Sequence, residues 1–236
     1  YSNPAPSVGG TLIIFLLRLL EEGNIQNLQI PDLMQAMAVT NTARQVVCTN
    51  PNKEYQINQL LEKEVFNRYL KKLLFKCIKS DDNITIPGRG ETTHVSVIDK
   101  DMNCASVTTT NGEGCGYILP GTGIMLNNML GEEDLNPLGF HQWTHSMRLP
   151  TMMAPSIIMK DNQPFILLGS GGSNRIRSAI VQVILNFIVK EQVLEEAILS
   201  PRIHLEGNQL YYEPGLSISE NDMPNHFSFH PFEEKN

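Results

Sequence analysis

The chain is short of positive charge, of paired cysteines and of long apolar runs, and each shortage closes off a class of function. Its 18 Lys and Arg stand against 25 Asp and Glu, a formal charge of −7. A protein that lives on phosphate contacts displays a basic face, so no nucleic-acid partner is expected. Cys48, Cys77, Cys104 and Cys115 show no CxxC spacing, and neither a zinc ribbon nor a disulfide framework is signalled. The most apolar early stretch, Leu12 to Leu20, is interrupted by Arg18 and falls well short of the roughly 20 residues that cross a bilayer. It reads as a buried helix. His141 and His145 are four apart, as are His226 and His230, but neither pair carries an HExxH pattern, and Pro224 and Pro231 oppose a helix at the second. No metal is expected. The chain begins at Tyr1 without the basic, apolar and small-residue pattern of a secretory signal, and it reads as a piece of something longer.

What is present is ordinary globular material: 236 residues, 41% hydrophobic and 18% charged, enough for one large domain or two small ones. The first ten residues are broken by Pro4, Pro6, Gly9 and Gly10, after which Thr11 to Glu22 predicts a core-facing helix ended at Gly23. Leu60, Leu61, Phe66, Leu70, Leu73 and Leu74 recur among Lys and Glu at helical spacing and predict a second helix over Gln59 to Lys76. Turn formers crowd Ser80 to Gly90, marking an exposed loop. Beyond it the period changes. His94 to Ile98 and Cys104 to Thr110 form one expected hairpin; Ser156 to Met159 and Pro164 to Leu168 form another, turning at Asp161 and Asn162. Gly169 to Ser173 then leads into an apolar helix from about Arg175 to Lys190. Helices first, then strands, then strand-turn-helix suggest layered sheets with helical cover.

The stretch Gly90 to Asp99, GETTHVSVID, sets Thr92 where the exposed loop meets a strand. A threonine hydroxyl is a poor nucleophile alone, but a free α-amine on the same residue can act as its base, which requires a cut before Thr92. Threonine also simply suits a pleated sheet. Gly171 and Gly172 lack Cβ atoms, so their N–H groups can approach an anion at the mouth of a helix; a plain strand-to-helix turn is the other reading. No GxxxxGK[ST] lysine follows, which disfavours a phosphate loop.

Taken in order, GETTHVSVIDKDMN, PGTGIMLNN (Pro120 to Asn128) and GSGGSNRI (Gly169 to Ile176) resemble small-subunit motifs of the γ-glutamyltransferases. YSNPAPSVGG (Tyr1 to Gly10) resembles the stretch of that family's large subunit that precedes a helix. The resemblance implies an α+β fold, the four-layer αββα sandwich of the N-terminal-nucleophile hydrolases with antiparallel sheets. It implies a mostly helical large-subunit segment over 1–91 and a small-subunit catalytic segment over 92–236. The precursor would cut itself between Glu91 and Thr92 and persist as a heterodimer of its own pieces. Thr92 would then attack a γ-glutamyl amide, glutathione or another γ-glutamyl compound, and pass the acyl group to water, an amino acid or a peptide. No cofactor is implied.

By the same resemblance, Gly171 and Gly172 match the oxyanion glycines. Thr110 matches the hydroxyl that bonds the nucleophile, with Thr109 as second choice, and Asn111 a following substrate contact. Glu132 or Glu133 takes the place of the acid that meets the substrate ammonium, and Thr151 that of the first hydroxyl of a carboxylate-binding serine pair. Met129 and Met152 depart from the pattern, replacing an amide or carboxylate and the second serine. The family's carboxylate-binding arginine belongs to a part of the large subunit that this sequence does not include. Met129 and Met152 keep open an amidase or acylase of the β-lactam side-chain type on the same scaffold, and the start and end of the sequence, short of the family's pattern, keep open a non-catalytic remnant that does not mature. Periplasmic or cell-surface placement is the family expectation.

Overall fold

The computed structural model describes residues 1–5, 7–25, 28–48, 57–75, 92–132, 135–136, 139–143, 145–146, 148–218 and 227–233. Glu91, Glu133, His226 and the expected loop over 80–90 lie outside them. Five α-helices and seven strands are present among the described residues: α1 (Gly9–Glu22), α2 (Ile30–Cys48), α3 (Lys63–Leu74), β1 (Thr92–Ile98), β2 (Cys104–Thr110), β3 (Ser156–Lys160), β4 (Gln163–Leu168), α4 (Arg175–Ile184), α5 (Leu194–Leu199), β5 (Ile203–Glu206), β6 (Gln209–Tyr212) and β7 (Ser228–Pro231). They fall into two compact units. The first lies within Tyr1–Thr11, Cys48–Asn58 and Pro87–Ile180, the second within Leu12–Val47, Gln59–Ile86 and Val181–Asn236.

In the second unit, Leu12, Phe15, Leu16 and Leu19 put one stripe of α1 into the core. Phe15 meets Phe66 and Tyr69 of α3 edge to face, with ring centroids 5.6 and 5.7 Å apart, the arrangement that ring quadrupoles favour. The charge that breaks the apolar run is accommodated. The Arg18 guanidinium lies over the Phe66 ring at 3.9 Å, donates to the Leu61 carbonyl at 2.9 Å and pairs with Glu22 at 2.7 Å. The second expected helix divides in two, because Glu62 is extended (ψ 138°) between a short 3-10 turn over Ile57–Leu61 and α3.

Helix α2 has no counterpart in the sequence reading. Leu33, Met34, Ala36, Met37, Ala38, Val39, Thr40 and Asn41 are all buried, so there is no polar face to betray a period. Its polar residues find partners: Thr40 bonds the Ala36 carbonyl at 2.8 Å and Asn41 the Leu205 carbonyl at 2.8 Å. No helix of the described residues is long and apolar enough to cross a membrane. Strands β5 and β6 pair antiparallel, and β7 joins β6 in parallel, so this sheet is mixed rather than wholly antiparallel. Gln182 of α4 both donates to and accepts from Ile203, at 2.8 and 2.9 Å, clamping β5 to the helix.

The first unit is built on the two expected hairpins. Thr92 to Ile98 pairs in register with Thr110 to Cys104. The turn between them is held by Asp99, whose carboxylate accepts from the Asp101 and Asn103 N–H groups and the Asn103 side-chain amide at 2.8 to 2.9 Å. Hydrogen bonds from Asn103 hold that carboxyl below its ordinary pKa. β3 and β4 turn at Asp161 and Asn162, both with positive φ (51° and 61°), as a two-residue hairpin turn requires.

Candidate active site

A seven-residue register sets the site. Alternate residues of a strand share a face, so Thr92, His94 and Ser96 lie together and opposite Thr110, Thr108 and Ser106. The Thr92 hydroxyl donates to Thr110 Oγ1 at 3.0 Å, and the Gly112 N–H donates to the same oxygen at 2.9 Å. Of the three successive threonines it is Thr110 that faces Thr92.

Thr92 and Thr110 line a cleft of about 330 Å³, its open mouth included, with Gly112, Met129, Glu132, Leu135, Thr151, Met152, Met153, Ser173 and Ile176. Across it runs the turn from Gly169 to Ser173. A Cβ on Gly171 would stand 2.8 Å from the Thr92 carbonyl oxygen and 3.2 Å from the Thr92 Cβ, so only glycine allows this approach. Gly172 has φ of 106° and Ser173 φ of 52°, and the Arg175 N–H bonds the Gly172 carbonyl at 3.0 Å as α4 begins. The first N–H groups of a helix have no intrahelical partner and carry its positive end, which suits this turn to an oxyanion.

Among the described residues, Glu132 is the charged side chain that lines the cleft. Its loop is held by Asn136, which donates to the Leu130 and Glu132 carbonyls at 3.0 and 2.7 Å and accepts from the Trp143 indole at 2.8 Å. Gly112 has φ of 65°, and any Cβ there would overlap the Asn128 amide oxygen and the Glu132 carboxylate. Asn111 is exposed; its carbonyl accepts from the Gly114 and Asn128 N–H groups at 3.0 and 3.2 Å, fixing the approach to that loop.

Thr151 also lines the cleft. Its hydroxyl accepts from the Met153 N–H at 3.1 Å, so towards a ligand it can act as a donor. Sequence reasoning missed what holds this wall. The Thr151 carbonyl accepts from the Ser7 hydroxyl and the Val8 and Gly9 N–H groups at 3.0 to 3.1 Å, and Asn3 donates to the Met153 carbonyl at 2.9 Å. A methyl on Gly9 would overlap the Met152 backbone. The YSNPAPSVGG motif thus positions the wall; its Asn, Ser and Gly spacing just before a helix was the available signal. Ser173 and Ile176 lie within the GSGGSNRI motif, whereas Leu135 carries no such signal.

His94 completes the same strand face. Its Nδ1 lies 2.9 Å from Thr108 Oγ1 and its Nε2 2.8 Å from Ser96 Oγ. Burial pulls its pKa below the ordinary value, which favours the neutral ring, one nitrogen donating and the other accepting.

These features can be compared with known proteins. Over 130 residues the chain is 36% identical to the glutathione hydrolase proenzyme of Bacillus subtilis strain 168, covering 54% of this chain and 22% of that protein. Over 252 residues it is 28% identical to the glutathione hydrolase proenzyme of Escherichia coli K12, covering 92% and 42%. The chain thus spans less than half the length of these relatives. A solved structure, cephalosporin acylase from Bacillus halodurans, superposes with a TM-score of 0.66 at 21% identity over 91% of this chain and 40% of that one. The α+β fold that the sequence motifs led us to expect is thus shared with that acylase structure. The gamma-glutamyltranspeptidase family profile matches residues 1–223, so the order of motifs, the Thr92–Thr110 pair and the glycine turn all sit inside one matched stretch. The chain belongs to the gamma-glutamyltranspeptidase family.

Proposed function

We propose that the protein is a γ-glutamyl acyltransferase and glutathione hydrolase whose nucleophile is Thr92, freed by self-cleavage after Glu91. The observation that carries this reading is the Thr92 hydroxyl held by Thr110 at 3.0 Å, with the Gly171 backbone packed against the same residue. Once the Glu91–Thr92 peptide bond is broken, the Thr92 α-amine takes the hydroxyl proton as Oγ1 attacks the amide carbonyl of the donor. The oxyanion is met by donors of the Gly171–Gly172 turn. The proton passes to the leaving amine, the C–N bond breaks, and a γ-glutamyl ester of Thr92 remains. Water or the amino group of an amino acid or peptide then attacks the ester and returns the proton to Oγ1. In the cleft Glu132 meets the donor's α-ammonium, the Thr151 hydroxyl donates to its α-carboxylate, and Asn111 makes a further substrate contact at the rim. The two pieces, 1–91 and 92–236, stay together as a heterodimer.

Intact mass and N-terminal sequencing of the full-length protein test the first step: two fragments, the second starting at Thr92, are expected. Thr92→Ala is expected to abolish both cleavage and turnover, and retained activity in that variant would overturn the mechanism. A second reading keeps the same chemistry with a different acyl group, because Met129, Met152, Met153, Leu135 and Ile176 make much of the wall apolar. Comparing γ-glutamyl with unsubstituted acyl anilides separates the two.

A further inference from the structure

Two close approaches tie β1 to the glycine turn, and they are two residues apart on each segment. Gly171 packs on Thr92; Gly169 packs on His94, so closely that a Cβ on Gly169 would overlap the imidazole, nearest its Nδ1, Cε1 and Cγ atoms. The ring cannot swing away freely, because Thr108 and Ser96 hold its two nitrogens at 2.9 and 2.8 Å. It is therefore a fixed spacer: the end of β4 rests on the face of His94, and the next two residues of that chain carry Gly171 to the Thr92 carbonyl. We propose that His94 is a positioning residue, which sets the distance between the Thr92 hydroxyl and the donors of the Gly171–Gly172 turn without touching the substrate.

This inference rests on reading Thr92 as the nucleophile. A spacer of this kind acts on the transition state, where alignment of nucleophile and oxyanion donors matters, and leaves ground-state binding at Glu132 and Thr151 alone. Its signature is a change in kcat with little change in KM, and misplacement by about 1 Å can cost on the order of a hundredfold.

The test is a size swap in the full-length protein, with rates normalised to the cleaved fraction measured by mass. Gly169→Ala, which drives a methyl into the ring, and His94→Ala, which removes the ring, are each expected to lower kcat about tenfold or more with KM within about twofold. In the double variant the added methyl occupies part of the space the ring has left. Its kcat is expected to exceed the product of the two single losses by about tenfold, the mark of coupled neighbours. His94→Asn serves as the smaller partner if His94→Ala does not fold. Unchanged kcat in a folded His94 variant, a loss confined to KM, or strictly multiplicative losses in the double variant would overturn the proposal. Turnover surviving Thr92→Ala would instead overturn the assignment of the nucleophile.

Discussion

Replacing Thr110 by Val keeps a β-branched side chain of nearly the same shape and removes one oxygen, and that oxygen accepts two hydrogen bonds. One comes from the Thr92 hydroxyl at 3.0 Å and the other from the N–H of Gly112, a buried residue. The two losses have different consequences. The Gly112 N–H loses an acceptor where water has poor access, and leaving a buried donor unpaired costs about 1–3 kcal/mol of stability. The Thr92 hydroxyl loses the partner that fixes its rotamer, and a hydrogen bond of about 1 kcal/mol corresponds to roughly a fivefold fall in the population of the attacking rotamer. Thr110→Val should therefore lower the denaturation midpoint and reduce kcat on a γ-glutamyl anilide between about fivefold and a hundredfold, with KM little changed. Thr110→Ser, which keeps the oxygen, should stay close to the parent in both assays. If Val and Ser variants behave alike in kcat, the hydroxyl pair does not organise the nucleophile.

Glu132→Gln should raise KM for a γ-glutamyl donor about tenfold or more through loss of a charge-assisted contact to its ammonium, while a donor lacking that ammonium is unaffected in steady-state assays. Gly9→Ala should displace the Met152 backbone it would overlap, costing about 1–3 kcal/mol and raising KM, seen by thermal melting alongside kinetics. The hairpin turn at Asp99 should respond to acid. Its carboxyl has a lowered pKa in the folded chain, so its contribution is present above the unfolded carboxyl pKa and is lost as pH falls through the lower folded value. Hydrogen exchange at the Asp101 and Asn103 amides should therefore quicken in acid, and Asp99→Ala should show that faster exchange at neutral pH.

Both hairpins were legible because their turns are written in turn-forming residues: Asp161 and Asn162, which accept positive φ, in one, and the Asp99 and Asn103 clasp in the other. Alternation alone would mislead about which face turns inward. On β1 and β2 the half-buried residues are Thr92, His94, Cys104, Ser106, Thr108 and Thr110, while Val95 and Val107 are 54% and 52% exposed; the hydroxyl-bearing face is turned in, and its end at Thr92 and Thr110 lines the cleft. Thr92, Gly171 and Gly172 could be picked out by motif, and the structure brings them together. The link between Asn3, Ser7 and Gly9 and the Thr151–Met153 wall could not, since it joins positions 142 to 150 residues apart through backbone carbonyls that carry no side-chain signature. Helix α2 escaped for the opposite reason: burial of nearly every residue from Leu33 to Ala43 erases the period by which a helix is read. The end of the apolar helix at α4 shows a local limit of the same kind, because it opens into a π turn over Leu185–Val189 where Lys190 bonds back to Leu185.

The clasp on the Thr151 carbonyl gives the proposed cleavage an unusual corollary. Asn3, Ser7, Val8 and Gly9 precede the scissile bond, while Thr151 and Met153 follow it, so cutting the chain makes the substrate wall the joint property of two separate molecules. Before the cut the wall is held at any protein concentration; after it, the wall exists only while the pieces remain associated. Activity of the mature protein should then fade on extreme dilution, whereas the uncut chain would keep its cleft intact and yet have no amine with which to use it.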